Sequence, residues 1–275
     1  MKQTLKILLV ICAMLFSPSC SELAKIAGQG GVTNAENIAG LRSALTVGIE
    51  NSVSILGREN GFFNDALVKI LLPAEARIIV DNVRLIPGGQ DLVNRAILSL
   101  NRAAEDAVKS ATPIFVNVIT SMTINDATNI LFGADDAATQ YLRRTTYNQL
   151  SSAFTPRVRQ SLNKPLIAGV STNESWNALT SAYNTVANSA AGRAAGLTPV
   201  NVNLENYVTE RALNALFSKI AVEERKIRTN PGARVNDILR RVFGQLNSSQ
   251  TASPPPPSTP SPSTPPPTNS QRIRR

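Results

Sequence analysis

Apolar residues recur at spacings of three and four throughout the middle of the chain. This period places them on one face of an α-helix, and no stretch alternates apolar and polar residues as a half-buried β-strand does. The first series, between residues 34 and 56, is Ile38, Leu41, Leu45, Ile49, Val53 and Leu56. Similar series follow as far as residue 244. We therefore predict an all-α fold in which about ten helices form a single bundle-like domain at residues 34–245.

Capping and helix-breaking residues predict where individual helices begin and end. Gly57 is placed to end the first helix in a left-handed cap, because glycine adopts positive φ at no steric cost. The sequence from Ser171 to Glu174 has the spacing of a capping box, and Asn203 is placed to cap a long helix. Thr155-Pro156 predicts the start of a separate helix, and Gly244 predicts the end of the last one.

The beginning of the chain has the pattern of a bacterial lipoprotein signal. Two lysines precede an apolar run at residues 7–16, which is too short to span a bilayer, and Cys20 follows shortly afterwards. We predict a signal peptide at residues 1–19, lipidation of Cys20 after cleavage, and a flexible Gly-rich tether at residues 20–33. An ordinary secretory peptide is the alternative, because Ser17 stands where lipoprotein signals usually have an aliphatic residue.

The same features predict where the protein resides. After the signal, no segment has the eighteen or more apolar residues of a membrane-spanning helix. Membrane attachment would therefore depend on acyl chains, which contribute about 0.8 kcal/mol per buried methylene. We expect an exported protein of the cell envelope, held as a lipoprotein on the periplasmic side of the outer membrane.

The end of the chain differs in composition from the rest. Residues 253–267 read SPPPPSTPSPSTPPP, and three arginines stand among the last four residues. Proline removes backbone hydrogen-bond donors, and the stretch has almost nothing apolar to bury. We predict a disordered, Pro-rich and basic tail at residues 246–275.

The composition excludes several kinds of active site. The chain has no histidine, and of its two cysteines Cys12 belongs to the predicted signal peptide. Ser-His-Asp and Cys-His machinery and histidine-based zinc sites are therefore excluded. Carboxylate chemistry, Ser-Lys chemistry and an oxygen-ligand metal site stay open in principle, but the spacing of a calcium loop is missing. We predict no metal and no cofactor.

The charge distribution argues against one class of partner. Much of the formal charge of +9 lies at the two ends of the chain. The helical region is only mildly basic and lacks the concentrated basic stripe of a nucleic-acid-binding protein. We therefore predict no nucleic-acid partner.

The densest polar cluster supplies the first candidate ligand-binding residues, which are Asp135, Asp136, Thr139, Tyr141 and Arg143. Asp136, Thr139 and Arg143 follow one another at steps of three and four, so they share one helix face. A carboxylate, a hydroxyl and a guanidinium on one face can bind a polar ligand or take part in acid–base chemistry. The structural alternative is that acidic residues at a helix start cap free N–H groups. We assign no catalytic residue.

Two further candidates, Arg228 and Arg234, lie on either side of Asn230-Pro231. As a pair they are suited to clamping a carboxylate or a phosphate, and an interhelical ion pair is the alternative. The charged stretch at residues 223–228 ends a predicted helix. We interpret that stretch as a solvated face, because basic residues there complement the negative end of the helix dipole.

Short motifs along the helical region resemble those of a known family. They are Pro113-Ile-Phe115, Met122-Thr123, Asp126-Ala127, Ile130-Leu131, Gly133 and Asp135-Asp-Ala-Ala-Thr-Gln-Tyr141, followed by Tyr207-Val-Thr209, Ala212-Leu213, Leu216-Phe217, Ile227-Arg228, Asn230-Pro231, Arg234 and Val242-Phe243-Gly244. On these motifs the chain resembles a bacterial exported family called domain of unknown function forty-one ninety-seven, over about residues 38–244. The resemblance implies an exported Gram-negative protein and no particular activity. One departure is Asn214-Ala215, where the family tends to have Asp-Gly.

Three functional hypotheses follow from the sequence. The first is a non-catalytic binding or structural module whose helical body binds an unknown envelope protein or ligand. The second is an enzyme of unrecognised class that uses the face of Asp136, Thr139 and Arg143. The third is a carrier of a lipid or another small ligand. A lipoprotein signal joined to a body without recognisable catalytic groups favours the first.

Overall fold

The computed structural model describes residues 31–250, with side chains as far as residue 247. The predicted signal peptide, Cys20 with most of the tether, and the Pro-rich stretch lie outside these residues. Ten α-helices dominate the described region and confirm the all-α prediction. None of these helices is both long enough and apolar enough to cross a membrane.

Turns, loops and a single hairpin join the helices, and the connection between the first two helices, at residues 57–76, is a long one. They are α1 (Asn34–Leu56), α2 (Arg77–Asp81), α3 (Gly89–Val108), α4 (Ala111–Ser121), α5 (Ala127–Leu131), α6 (Ala137–Asn163), α7 (Thr172–Ala187), α8 (Ala190–Ala194), α9 (Leu204–Thr229) and α10 (Asp237–Gln250). Two strands, β1 (Pro165–Ile167) and β2 (Val170–Ser171), separate α6 from α7. Short 3₁₀ turns lie at Ala74–Ala76, Val83–Leu85 and Pro231–Ala233.

The helices α1 and α9 lie at the centre of the domain and pack along each other. Gly48 permits this close approach, because a Cβ at that position would lie 3.1 Å from Cγ2 of Ile220. Around this pair, α6 packs on α9, α4 and α10 pack on α1, and α3 contacts both α6 and α7. The predicted apolar face of α1 points into this core, where Leu41, Leu45 and Ile49 are buried.

Several predicted helix starts are confirmed. Ser171 and Glu174 form both hydrogen bonds of the capping box that begins α7. The side chain of Asn203 accepts a backbone hydrogen bond in the first turn of α9. A further capping box, formed by Thr33 and Glu36, begins α1. These local motifs satisfy backbone N–H groups that have no partner inside their own helix.

Gly57 ends α1 where predicted but without the predicted cap conformation, and Pro156 does not mark the predicted boundary. Gly57 has a φ of −80° instead of a left-handed conformation. A glycine fits at this position because there is no room for a side chain: a Cβ would lie 2.8 Å from the carbonyl oxygen of Val53. Pro156 lies inside the continuous helix α6 and does not begin a new one. Proline disrupts a helix interior, but Phe154 and Val158 on either side of it are fully buried, and their packing keeps α6 in one piece.

The last helix also differs from its predicted extent. Gly244 lies inside α10, which continues to Gln250 and so enters the predicted tail. Its packing on α1 depends on a glycine. A Cβ added at Gly40 would lie 2.6 Å from Cγ1 of Val242, a separation that real side chains essentially never show. Only glycine lets α10 lie this close to the backbone of α1.

The hairpin between α6 and α7 was not predicted. Its strands are antiparallel, and its turn residues Ala168 and Gly169 have φ values of 47° and 79°. Two consecutive positive φ angles are typical of a type I′ turn, which Asn-Gly or Asp-Gly usually forms. Because alanine occupies the first position, the sequence lacks the usual hairpin signal, and Ala168 is held in a strained conformation.

The irregular segment between α1 and α2 is held against α3 by buried polar side chains. The carboxylate of Glu105 accepts a hydrogen bond from the backbone nitrogen of Phe62 at 3.1 Å. The side chain of Asn101 pairs with both backbone groups of Ile70, at 2.9 and 2.7 Å. Buried backbone groups need hydrogen-bond partners, and side chains of α3 supply them to this segment, which has no helix or strand of its own there.

Candidate functional site

A cleft of about 260 Å³ lies between the start of α6 and the second half of α9. It brings together Asp136, Thr139 and Arg143, the three residues that the sequence places on one helix face. The full lining is Asp136, Thr139, Gln140, Arg143, Phe217, Ser218, Ala221, Val222 and Arg225. The predicted shared face therefore borders a cleft whose opposite wall is α9.

The start of α6 is fixed by a carboxylate from another helix. Glu224, in α9, is fully buried and accepts hydrogen bonds from the backbone nitrogens of Ala138 and Thr139, at 3.0 and 2.7 Å. The Thr139 hydroxyl also donates to Glu224, at 2.6 Å. Asp136 occupies the N-cap position but makes no capping bond, and its Oδ2 accepts from Gln140 at 3.0 Å. Glu224 thus performs the capping role expected of the aspartates.

Glu224 shares its carboxylate with Arg228, one helical turn further along α9. The Arg228 Nε and Nη2 donate to Oε1 of Glu224 at 2.9 and 2.7 Å. The same guanidinium donates to the carbonyl oxygens of Ile130 and Leu131, at 3.0 and 2.5 Å. Arg228 therefore donates to the free carbonyl groups at the C-terminal end of α5, while Glu224 accepts from the free N–H groups at the N-terminal end of α6.

Arg234 has a similar role at the end of α9. Its Nε donates to the carbonyl oxygen of Ile227 at 2.9 Å and its Nη2 donates to that of Arg228 at 3.0 Å. Burial lowers the pKa of Arg234 below its usual range. Arg228 and Arg234 thus lie in the interior, with donors directed at backbone carbonyls, and neither lines the cleft.

The interpretation of residues 223–228 as a solvated face was wrong for three of its five charged residues. Glu223, Glu224 and Arg228 are all buried. Glu223 accepts hydrogen bonds from Asn51 at 2.9 Å and from Lys226 at 2.6 Å. A run of charged residues at a helix end does not reveal which of these residues have hydrogen-bond partners on other helices.

The exposed guanidinium of Arg143 lies beside two aromatic rings at the cleft. It is 5.5 Å from the ring centroid of Phe217 and 5.9 Å from that of Tyr147. Its Nη2 donates a hydrogen bond to Oδ1 of Asn214 at 2.7 Å. The rings and the amide hold the charged group in place at the surface, since an aromatic face attracts a guanidinium.

The neighbouring residue, Arg144, also places its guanidinium over an aromatic ring. It lies 5.5 Å from the ring centroid of Tyr141, whose hydroxyl is fixed by donating to the carbonyl oxygen of Thr123 at 2.7 Å. A second depression of about 480 Å³ is lined by Gln140, Arg143, Arg144 and Tyr147. Because the two depressions share Gln140 and Arg143, they form one continuous surface, which we name the arginine cleft.

The arginine cleft is cationic. Arg225 lies 3.5 Å from Asp135 across its edge, and both side chains are largely exposed. Within residues 31–250, neither Arg143 nor Arg144 forms an ion pair. Burial raises the pKa of Tyr147, an effect that Glu210 increases and Arg143 opposes. Tyr147 is therefore a neutral phenol at physiological pH and is able to donate a hydrogen bond.

The sequence did not identify the residues that α9 contributes. Asn214, Phe217 and Arg225 share one face of α9 at helical spacing, a pattern that is visible in the sequence only once α9 is known to pack on α6. In the described part of the chain, no three acidic or cysteine side chains are grouped so as to hold a metal ion.

Fold and cleft together define an all-α domain with a cationic, aromatic-lined surface cleft. Residues 31–244 match the family described as protein of unknown function (DUF4197), and the chain belongs to that family. This match confirms the resemblance drawn from the sequence motifs. No curated protein and no solved structure matches the chain.

Proposed function

We propose that the protein is an exported, lipid-anchored and non-catalytic binding module of the cell envelope, which binds an anionic group in the arginine cleft. The observation behind this proposal is that Arg143 and Arg144 are exposed side by side, lie against tyrosine rings and have no carboxylate partner among the described residues. The signal pattern ending at Cys20 supports export and anchoring.

The chemistry of the two guanidinium groups favours a phosphate or a carboxylate as the ligand. A guanidinium has five N–H donors in a rigid fork that matches these anions in a bidentate geometry. Arg143 uses one nitrogen to bond Asn214, which leaves its other donors available. Because aromatic rings already restrict both side chains, less conformational entropy is lost when an anion binds.

Asn214 gives the proposal a specific test, since it marks the departure from the family pattern. An amide oxygen accepts the hydrogen bond of Arg143 without neutralising its charge. An aspartate at the same position would form an ion pair with Arg143 and compete with an external anion. We therefore expect Asn214→Asp to weaken anion binding while it preserves the shape of the cleft.

The buried polar groups beside the cleft favour binding over catalysis. Thr139, the one hydroxyl on the predicted face, is 2% exposed and donates its proton to Glu224. Glu224 is in turn occupied by Arg228 and by the backbone of α6. The alternative, an enzyme that uses Asp136, Thr139 and Arg143, would need this network to open.

Calorimetric titration of the full-length protein with inorganic pyrophosphate tests the ligand class. We expect Asn214→Asp and Arg143→Gln each to weaken binding by about tenfold, which corresponds to roughly 1.4 kcal/mol. Arg211→Gln is the matched control. Arg211 lies on α9, as Asn214 does, and its guanidinium lies over a tyrosine ring, as that of Arg143 does, 5.2 Å from Tyr207 and outside the cleft. Equal binding by all variants would reject the arginine cleft as the site.

The proposed anchor is tested separately. Mass spectrometry of the mature N-terminus should find an acylated Cys20, and Cys20→Ser should move the protein from the membrane fraction to the soluble fraction. A mature protein with an unmodified N-terminal residue would contradict the anchor and leave the cleft proposal unaffected.

A further inference from the structure

A second cleft, of about 530 Å³, lies at the other end of α9 from the arginine cleft. The end of α6, one face of α7 and the segment that leads into α9 form its walls. Its lining is Arg159, Leu162, Asn173, Trp176, Asn177, Thr180, Asn184, Pro199, Val200, Asn201, Val202, Asn203, Leu204 and Glu205. We name it the asparagine cleft, because five of these residues are asparagines. Its volume is within the range of small-molecule sites.

One of the asparagines builds the wall of this cleft. The Asn184 amide donates to the carbonyl oxygen of Val200 at 3.0 Å and accepts from the nitrogen of the same residue at 2.8 Å. This two-point pairing fixes the segment that leads into α9. It also shows that one side-chain amide of this cleft donates and accepts hydrogen bonds at the same time.

Two other asparagines are free to bind a ligand. Asn177 on α7 and Asn201 on the opposite wall are exposed, and neither side-chain amide has a hydrogen-bond partner within residues 31–250. Each offers two donors and one acceptor oxygen. The Asn203 oxygen is occupied by the backbone of Asn206, but its NH₂ group is available.

The asparagine cleft is electrically neutral. Its two charged residues, Arg159 and Glu205, pair with each other through two hydrogen bonds of 2.6 and 2.7 Å. An ionic ligand would lose hydration without meeting an opposite charge, which is costly. A ligand with many neutral hydroxyl and amide groups would instead find partners on both walls.

The floor of the cleft is apolar. Trp176 is 6% exposed, and Leu162, Val200 and Leu204 around it are also buried. Because these side chains are almost fully buried, the floor exposes only a small apolar area, which suits a methyl group. Trp176 is also the single tryptophan of the chain, so its fluorescence reports on this cleft alone.

From these observations we infer that the asparagine cleft binds a neutral oligosaccharide of N-acetylated sugars. The acetamido group is a secondary amide whose N–H and C=O point in opposite directions, so its N–H donates to the oxygen of one free asparagine and its carbonyl accepts from the NH₂ group of another. Its methyl group packs on the apolar floor, and the sugar hydroxyls bond to the remaining amides. The amides are dispersed over two walls and form no strand edge, which favours a hydroxyl-rich ligand over an extended peptide. This site is independent of the arginine cleft.

Trp176 fluorescence of the full-length protein provides the test. Chitotetraose, the N-acetylglucosamine tetramer, should give a saturable change in emission. Cellotetraose, which lacks the acetamido groups, should bind at least about tenfold more weakly. Calorimetry in parallel detects binding that leaves the emission unchanged.

Variants of the free amides locate the binding to this cleft. Asn177→Asp and Asn201→Asp keep the side-chain size but replace two donors by a charge, and each should weaken chitotetraose binding by about three- to tenfold. Asn117→Asp, an exposed position on α4 outside the cleft, should have no effect. Circular dichroism confirms that each variant is folded.

Three outcomes would overturn the inference. The first is the absence of saturable chitotetraose binding at millimolar concentration by either method. The second is binding that is unchanged in both cleft variants. The third is equal binding of tetra-alanine, which would assign the cleft to peptides. Pyrophosphate binding to the arginine cleft is unaffected by any of these results.

Discussion

Glu224 and Thr139 are joined by two hydrogen bonds, one from the backbone nitrogen at 2.7 Å and one from the hydroxyl at 2.6 Å. The carboxylate belongs to α9 and the threonine to the first turn of α6. A charge from one helix thus satisfies the N-terminal N–H groups of another, with Arg228 as its buried counter-ion. The start of α6 is held by tertiary structure and not by its own sequence.

Glu224→Ala should therefore be strongly destabilising. It leaves Arg228 buried without a counter-charge and two N–H groups of α6 without an acceptor, and breaking a buried pair costs about 3–5 kcal/mol. Urea unfolding measures the loss. Glu210→Gln, an exposed change on the same helix, should stay within about 0.5 kcal/mol of the wild type. A loss below about 1 kcal/mol for Glu224→Ala would contradict the structural role of the pair.

Two helix starts differ in how they are capped, and their variants should differ accordingly. Ser171→Ala removes a capping-box hydroxyl from α7 and should cost about 1 kcal/mol. Asp136→Ala should cost less than about 0.5 kcal/mol, because the Asp136 side chain makes no capping bond to α6. Thermal and urea unfolding compare the two variants. A larger loss for Asp136→Ala would indicate that Asp136, and not Glu224, caps α6.

The contrast between these two helix starts explains what the sequence could predict. The Ser171 capping box was predicted because all its atoms lie within four residues. Likewise, the shared face of Asp136, Thr139 and Arg143 follows from the period of one helix. Both are local properties, and the structure contains the capping box and brings the three residues to one cleft.

The missed features depend on contacts between distant parts of the chain. Phe217 and Asn214 reach Arg143 only because α9 packs on α6. Glu224 and Arg228 looked solvated because their partners, the ends of α5 and α6, are separated from them by more than eighty residues. No period or cap in a single helix encodes such a pairing.

Gly40 and Val242 should show strong coupling. Gly40→Ala places a methyl group 2.6 Å from Cγ1 of Val242 and should cost about 1–3 kcal/mol by overpacking. The Cβ of Val242 would also lie 2.7 Å from the new methyl group, so adding Val242→Gly, which removes the Cβ and both of its methyl groups, should recover part of that loss, although Val242→Gly alone is destabilising because it opens a cavity. A double-mutant cycle by urea unfolding measures the coupling. Strictly additive losses would show that α10 does not pack on α1 at this point.

The turn of the hairpin offers a stabilising change. Ala168 has a φ of 47°, which costs a non-glycine residue roughly 1–2 kcal/mol. Ala168→Gly should relieve most of this strain and raise Tm by about 2–4 °C. Gly169→Ala, the reciprocal change at a φ of 79°, should lower Tm. Differential scanning calorimetry measures both, and a lower Tm for Ala168→Gly would argue against the positive φ.

Asp65 makes stability depend on pH. A hydrogen bond from Lys219, at 2.5 Å, lowers the Asp65 pKa below its usual 3.8, against the opposing effect of burial. Since the folded-state pKa is the lower one, the contribution is complete above about pH 4 and is lost as the pH falls below it.

Asp65→Asn should therefore reduce stability at pH 7 and have little effect at the acidic end of the range. We expect a loss of about 0.5–1 kcal/mol at pH 7, because the pair is partly exposed, and a smaller difference from the wild type at pH 3, which is below the usual pKa of 3.8. Urea unfolding at both pH values provides the comparison. A constant difference would show that the ionised carboxylate is not what stabilises the fold.

Arg228 and Glu224, one turn apart on α9, also set the spacing between two other helices. Arg228 holds the last carbonyls of α5, and Glu224 holds the first N–H groups of α6. Residues 132–136, which connect these two helices, are mostly exposed. Inserting or deleting one residue there would withdraw one helix end from its partner. The length of this connection is therefore constrained, and at Gly133 its sequence is constrained as well, because a Cβ there would lie 2.8 Å from the carbonyl oxygen of Asn129.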